Sequence, residues 1–79
     1  MFTYYSVHCS NYGVLFAVLM HHQVPFEWHS KSRGGTCYAD FCLDNERGPS
    51  LDDILAEGQS ISAHHGKKFG FHVMSKYIV

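Results

Sequence analysis

The strongest constraint on the fold is a helix-start signal in the second half of the chain. The Ser50 hydroxyl can accept a hydrogen bond from the backbone amide of Asp53, and the Asp53 carboxylate can reach back to the amide of Ser50. Asp52 and Asp53 also place negative charge in the first turn, where the helix dipole favours it. Apolar residues then recur on one face, so we predict an amphipathic helix over residues 51–64 that is closed by Gly66.

An earlier segment predicts a second helix of different character. Residues 12–23 are apolar nearly all the way round, and they follow Asn11, which is a good N-cap residue. Pro25 disfavours helical backbone in the residue before it. We therefore predict a buried helix over residues 11–23.

The rest of the chain carries strand patterns. Aromatic and β-branched residues dominate residues 2–8, and apolar and polar residues alternate over 24–29 and 69–79. Residues 37–43 have helical spacing of their apolar side chains, with a strand as the open alternative. The order predicts a single α+β domain over residues 1–79, in which the two helices pack on a short, mostly antiparallel sheet.

Length and charge exclude several classes of protein. Seventy-nine residues suffice for one domain, and a domain of this size buries only roughly 60% of its unfolded surface. The net charge of −1 gives no basic field to attract nucleic acid or an anionic membrane. The longest apolar run, residues 14–20, is much shorter than the ~20 residues of a membrane span, and no basic segment precedes it. We therefore expect a soluble, unexported protein with free thiols.

Cys9 is the first candidate for chemistry because it stands just before the apolar helix. A helix N-terminus acidifies a thiol, which is how many cysteine nucleophiles are prepared. A catalytic role also needs a histidine base, and His72 is the best placed by its order in the chain. The alternative is packing, since free cysteine is one of the most frequently buried residues.

The segment that begins at Cys9 also carries a resemblance to a known family. Cys9, the apolar helix through residues 19–22 and the exit at residues 24–25 resemble the N-terminal part of papain-like cysteine peptidases of the C39 type. Residues 48–55 and 69–71 are similar to that family's second helix and the strand leading out of it. The resemblance implies a shortened, inactive papain-like half-domain. The position of Cys9 before the helix separately keeps open an alternative function, a minimal papain-like cysteine enzyme that uses Cys9 and a histidine.

Cysteine and histidine also raise the question of a metal site. The candidate ligands are Cys37, Cys42 and the pairs at residues 21–22 and 64–65. Zinc sites usually use close pairs such as C-x₂-C or H-x₃-H, and neither spacing occurs here. We therefore expect no metal and no cofactor, and a small zinc-binding module is a further alternative.

Charge is divided unevenly along the chain. Residues 40–57 hold six acidic side chains and one basic one, whereas the rest of the chain holds one acidic and five basic side chains. Such an acidic segment can be a solvated surface, or it can dock on a basic groove of another protein. The candidate partner-binding carboxylates are Asp40, Asp44, Glu46, Asp52, Asp53 and Glu57.

Aromatic side chains provide a second candidate contact. Trp28 lies near Lys31 and Arg33 in the sequence, and together they form an alternative partner-binding patch. Five aromatic residues have polar neighbours that indicate partial exposure, and Tyr and Trp are enriched at binding hot spots. These five are Tyr4, Tyr5, Trp28, Tyr38 and Tyr77.

The favoured function is non-enzymatic binding, with no catalytic residue. In size, balanced total charge, lack of motifs and internal acidic segment, the chain resembles small phage-encoded inhibitors of the anti-CRISPR type. That resemblance implies an inhibitor that occludes a functional surface, such as the nucleic-acid groove, of a larger protein or ribonucleoprotein complex, including CRISPR effectors. It also implies action in the cytoplasm of a bacterial host, with no direct contact to nucleic acid or membrane.

Overall fold

The computed structural model describes residues 1–30 and 37–79 and confirms the α+β prediction. Within these residues, four strands and two helices follow one another along the chain. They are β1 (Phe2–Cys9), α1 (Tyr12–His21), β2 (Phe26–His29), β3 (Tyr38–Asp44), α2 (Leu51–His64) and β4 (Phe71–Ile78). Neither helix has the length and apolar character required to cross a bilayer, in the part of the chain that is described.

The four strands form one antiparallel sheet in the order β2-β3-β1-β4. Each helix therefore connects two strands that are separated by one other strand: β3 lies between β1 and β2, and β1 lies between β3 and β4. This β-α-β-β-α-β connectivity is the ferredoxin-like, split βαβ arrangement. The two central strands, β1 and β3, come from distant parts of the sequence, so the sheet forms only when both halves of the chain are in place.

The core lies between the helices and one face of the sheet. Val7, Ala39 and Phe41 point to this face from the central strands and pack against fully buried Leu19 of α1 and Ile54 of α2. The sheet register explains the pattern, because Val7 is directly opposite Ala39 and alternate residues share a face. Both helices and the two central strands therefore contribute to the single core of this small domain.

Local signals set the bounds of both helices. The predicted capping box of α2 is present: Asp53 N–H donates to Ser50 Oγ at 3.2 Å, and Ser50 N–H donates to Asp53 Oδ2 at 3.0 Å. The helix ends before Gly66, whose positive φ of 71° suits glycine. Helix α1 begins after Asn11, whose side chain accepts from Val14 N–H at 3.1 Å.

The structure also determines the conformation of residues 37–43, which the sequence left open. Residues 37–43 were compatible with a helix or a strand, and the structure places strand β3 at Tyr38–Asp44. Ala39, Phe41 and Leu43 are buried and alternate with partly exposed residues along the strand. That period of two, with a neighbouring strand on each side, is what a central strand with one covered face requires.

Gly58 occupies the middle of α2 for a packing reason. A Cβ at this position would lie 2.7 Å from the ring of Phe69, which is closer than carbon atoms approach without displacement. The weak helix propensity of glycine is therefore offset by close packing of α2 on the segment that leads into β4.

Candidate functional site

The face of the sheet opposite the helices is the candidate functional surface. The apolar residues of both helices pack on the other face, so alternate residues of the four strands project away from the core. We call this surface the open face. Its members are Phe2, Tyr4, Ser6, His8, Glu27, His29, Tyr38, Asp40, Cys42, Asp44, His72, Ser75, Tyr77 and Val79, which follows β4 and pairs with Phe2.

One part of the open face is an aromatic and apolar strip along β1 and β4. Tyr4 and Tyr77 are directly opposite each other, and their rings stack with centroids 5.1 Å apart and planes 13° apart. Phe2 and Val79 extend the strip, because their backbones exchange hydrogen bonds of 3.3 and 2.9 Å. Tyr77 and Val79 are 61% and 69% exposed. We call Phe2, Tyr4, Tyr77 and Val79 the apolar strip.

The hydroxyl of Tyr4 stays protonated at neutral pH. Cys42 on the neighbouring strand raises the pKa of Tyr4, first through charge repulsion and then through a side-chain hydrogen bond. A neutral phenol can both donate and accept a hydrogen bond. The apolar strip therefore has polar ends that can bond to a partner.

The other part of the open face is a cluster of carboxylate and imidazole groups on β2 and β3. His29 Nε2 lies 2.9 Å from Asp40 Oδ2 and 3.5 Å from Glu27 Oε2. Ser6 Oγ donates to Asp40 Oδ1 at 2.6 Å, and the His29 ring stacks on Tyr38 with centroids 4.6 Å apart. We call Glu27, His29 and Asp40 the carboxylate cluster.

A shallow groove joins the two parts of the open face. It has a volume of about 450 Å³, and its lining includes Tyr4, Cys42, Glu27 and Asp40. Tyr4 contributes an aromatic wall, while Glu27 and Asp40 contribute negative charge. A bound side chain in this groove would therefore meet apolar and acidic groups together.

The charge on the open face has one sign. Glu27, Asp40 and Asp44 are its acidic residues, and the described strands place no lysine or arginine on it. Phosphate groups are repelled by such a surface, whereas lysine and arginine side chains are attracted to it.

The structure separates the six carboxylates that are neighbours in the sequence. Asp40 and Asp44 share the open face, because they are four residues apart on β3 and alternate residues of a strand point to the same side. Glu46 lies in the following turn, where its carboxylate is 3.9 Å from the amino group of Met1. Asp52 and Asp53 lie in the exposed first turn of α2.

The sixth of these carboxylates, Glu57, lies between the helices. It accepts a hydrogen bond from His22, which follows α1. Of the six predicted residues, only Asp40 and Asp44 are on the same surface as the exposed tyrosines.

The second predicted patch, Trp28 with Lys31 and Arg33, is only partly described. Trp28 lies on the covered side of β2, and its ring packs edge-on against Tyr12 and Phe16 at centroid distances of 4.3 and 5.7 Å. It is still 44% exposed, so its outer edge is accessible. Lys31 and Arg33 are outside the described residues.

The residues of the alternative cysteine mechanism lie on opposite sides of the sheet. Cys9 is directly opposite Phe71 on the covered face, whereas His72 is opposite His8 on the open face. Cys9 is only 4% exposed, and this burial raises the pKa of its thiol. A nucleophile needs the reverse, a lowered pKa and access to substrate. The structure therefore does not assemble Cys9 and His72 into a reactive pair.

Among the described residues, the histidine pairs and cysteines singled out as metal ligands do not form a group of three or more ligand atoms. His21 and His22 stand at the end of α1, and His64 and His65 stand at the end of α2. Within residues 1–30 and 37–79, the carboxylate cluster is the only group of three or more metal-ligating side chains. It joins Glu27, His29 and Asp40, of which only Asp40 had been singled out from the sequence, and for another role.

The exposure expected for five aromatic residues is confirmed. Tyr4, Trp28 and Tyr77 are exposed, and Tyr5 and Tyr38 are partly exposed. The stacking of Tyr4 on Tyr77 could not be predicted from the sequence, because it depends on the register between the first and last strands.

Comparisons with protein-family models, with curated proteins and with solved structures each give no match.

Proposed function

We propose that this protein is a non-enzymatic binding protein whose open face docks on a basic surface of a larger protein or ribonucleoprotein complex. The observation that carries the proposal is the juxtaposition of the apolar strip with the acidic side chains of the same face. The apolar strip offers area for contact, and the carboxylates select a cationic partner.

The apolar strip has the composition of a binding hot spot. Tyr4 and Tyr77 present large, rigid rings with polar ends, and tyrosine is enriched among the hot-spot residues whose truncation costs about 2 kcal/mol or more. Phe2 and Val79 adjoin them and are likewise exposed. A partner that covers this strip removes four exposed apolar side chains from water.

The acidic residues determine what kind of partner is favoured. Glu27, Asp40 and Asp44 are distributed across β2 and β3 beside the strip, so arginine or lysine side chains of a partner could pair with them while the partner covers the tyrosines. Complementary charge raises the association rate and excludes partners of the wrong sign. Nucleic acid is disfavoured as a partner because its phosphates carry the same negative charge as the open face.

A basic groove that ordinarily holds nucleic acid is the partner surface that this chemistry fits best. A protein bound there excludes the nucleic acid by occupying its site, which is the mode of action of an inhibitor of the anti-CRISPR type. Action in the bacterial cytoplasm follows from that proposal. The ferredoxin-like connectivity by itself specifies no function.

Site-specific photo-crosslinking tests the proposed surface. A photoreactive phenylalanine analogue replaces Tyr77 on the open face or Ala63 on the exposed side of α2, and each variant is irradiated in bacterial lysate. We expect position 77 to crosslink one defined protein that position 63 does not. Equal crosslinking of the same proteins at both positions contradicts the proposal.

Charge reversal provides the matched control for the same experiment. Asp44→Lys places a positive charge on the open face, and we expect the crosslink at position 77 to fall at least about tenfold, because like-charge contacts cost several kcal/mol. Asp52→Lys makes the same change on α2 and should leave the crosslink unchanged. If both variants reduce the crosslink equally, net charge and not the open face governs binding.

A further inference from the structure

We propose that Glu27, His29 and Asp40 form a binding site for a divalent transition-metal ion of the zinc class. The three side chains come from two neighbouring strands and converge on one point of the open face. The isolated chain supplies all three ligands, so the site does not depend on the proposed partner.

Strand geometry brings the ligands together. Glu27 and His29 are two residues apart on β2 and therefore share a face, and Asp40 on β3 is directly opposite Glu27. One ligand atom from each side chain lies within 4.8 Å of the other two. Ligand atoms around a tetrahedral zinc ion are about 3.3–3.6 Å apart, given zinc–ligand distances of about 2.0–2.2 Å. The separation of 3.5 Å from His29 Nε2 to Glu27 Oε2 lies in that range, and the separation of 2.9 Å to Asp40 Oδ2 is slightly shorter.

The buried Nε2 atom of His29 is the second observation that supports a metal site. This atom is buried from solvent and has no hydrogen-bond partner among the described residues. Asp40 Oδ2 is only 2.9 Å away, yet it is out of line with the ring N–H and does not form a hydrogen bond. Buried polar atoms are nearly always satisfied, and each exception calls for an explanation. A metal ion bound to Nε2 would satisfy this atom and both carboxylates at once.

The surroundings hold two of the ligands in place. Ser6 Oγ donates to Asp40 Oδ1 at 2.6 Å, which leaves Oδ2 on the side of His29. The His29 ring is stacked on Tyr38 with planes 15° apart, so its orientation is restricted. Such outer contacts are typical of metal sites, where they orient the ligands. Glu27 is the mobile ligand, since its side chain is 78% exposed and free to close on the ion.

The ligand types indicate the class of ion. One imidazole nitrogen and two carboxylate oxygens suit zinc or manganese better than calcium or magnesium, which prefer oxygen alone. With a neutral His29, the cluster carries two negative charges, and a divalent cation neutralises them. Three protein ligands leave a fourth position for water or for a side chain of another molecule.

Calorimetric titration of the full chain with zinc chloride tests the site. We expect one zinc ion per chain, and at least about tenfold weaker binding in His29→Gln and in Asp40→Asn, because each removes a ligand. Ser6→Ala should weaken binding about tenfold through the orientation of Asp40. His72→Gln, Cys42→Ser and the double variant His64→Gln/His65→Gln are matched controls and should bind as the wild type does.

Nitrogen NMR of the imidazoles in the wild-type chain gives a readout that needs no variant to fold. Of the seven histidines, we expect His29 to show the first and largest shift at less than one equivalent of zinc. The proposal is wrong if zinc does not bind, or if the first shift belongs to His64 and His65. It is also wrong if binding survives His29→Gln and Asp40→Asn, in which case the cluster is a histidine–carboxylate ion pair and no more.

Discussion

The covered face and the open face of the sheet are built from alternate residues of the same four strands, yet their side chains differ in kind. On β3, Ala39, Phe41 and Leu43 pack into the core, while Asp40 and Asp44 between them project outward. The covered face is filled by residues selected for volume, whereas the open face combines stacked tyrosines with carboxylates. A one-residue register shift would exchange these two sets, so the sheet register determines both stability and binding.

The largest expected effect separates the two faces by stability. Leu19→Ala removes a fully buried side chain from the layer that covers the sheet and should lower the free energy of unfolding by about 2–5 kcal/mol. Tyr77→Ala removes an exposed side chain and one cross-strand stack, and should lower it by less than about 1 kcal/mol. Urea denaturation of both variants measures the difference. Similar losses in the two variants would show that the apolar strip is part of the structural core.

A second, smaller effect tests how closely the covering layer is packed. Gly58→Ala should lower the free energy of unfolding by about 1–3 kcal/mol, because the added methyl group meets the Phe69 ring at 2.7 Å. Helix propensity alone predicts the opposite sign, a gain of about 1 kcal/mol. Urea denaturation of the variant shows whether the steric overlap with Phe69 or the helix propensity of alanine has the larger effect on stability.

Phe69→Leu provides the matched background for that measurement. The smaller side chain leaves room for the methyl group, so Gly58→Ala should be less destabilising in this background than in the wild type. An equal loss in both backgrounds would show that the Phe69 ring is not the cause.

The sequence predicted those elements whose signals are local. Helix α2 was predicted over residues 51–64 and occupies Leu51–His64, because its capping box and apolar period lie within the helix itself. Helix α1 is shorter than predicted, Tyr12–His21, since the chain turns at Gln23 with a φ of 58°. Strand β3 was ambiguous because its partners, β1 and β2, lie elsewhere in the chain.

The open face was much less predictable, for the same physical reason. Alternation over residues 24–29 places Glu27 and His29 on one face, but only the β2–β3 register brings Asp40 opposite Glu27. In the same way, Tyr4 and Tyr77 stack across a sheet that joins the two ends of the chain. The six carboxylates of residues 40–57 were grouped by sequence distance. In the structure, two of them lie on the open face, whereas the following turn and helix α2 carry the other four away from it.

The smallest expected effect concerns two thiols on opposite faces. Cys9 is buried on the covered face, and Cys42 is partly exposed on the open face. Because burial raises the pKa of Cys9, its thiol should stay protonated and react slowly with iodoacetamide at pH 8, whereas Cys42 should react before Cys9. Mass spectrometry of partly alkylated protein identifies the order. Faster alkylation of Cys9 would show that the covered face opens readily.

The raised pKa of Cys9 also has a consequence for stability at high pH. The unfolded chain loses the thiol proton above about pH 8.5, while the folded chain keeps it until the raised pKa is reached. The unfolded state then binds fewer protons than the folded state, so stability should fall as pH rises through this window. Urea denaturation at pH 7 and pH 9.5 should show a smaller decrease for Cys9→Val than for the wild type. An identical decrease in both proteins would show that groups other than Cys9 cause the pH dependence, because the variant has no thiol at this position.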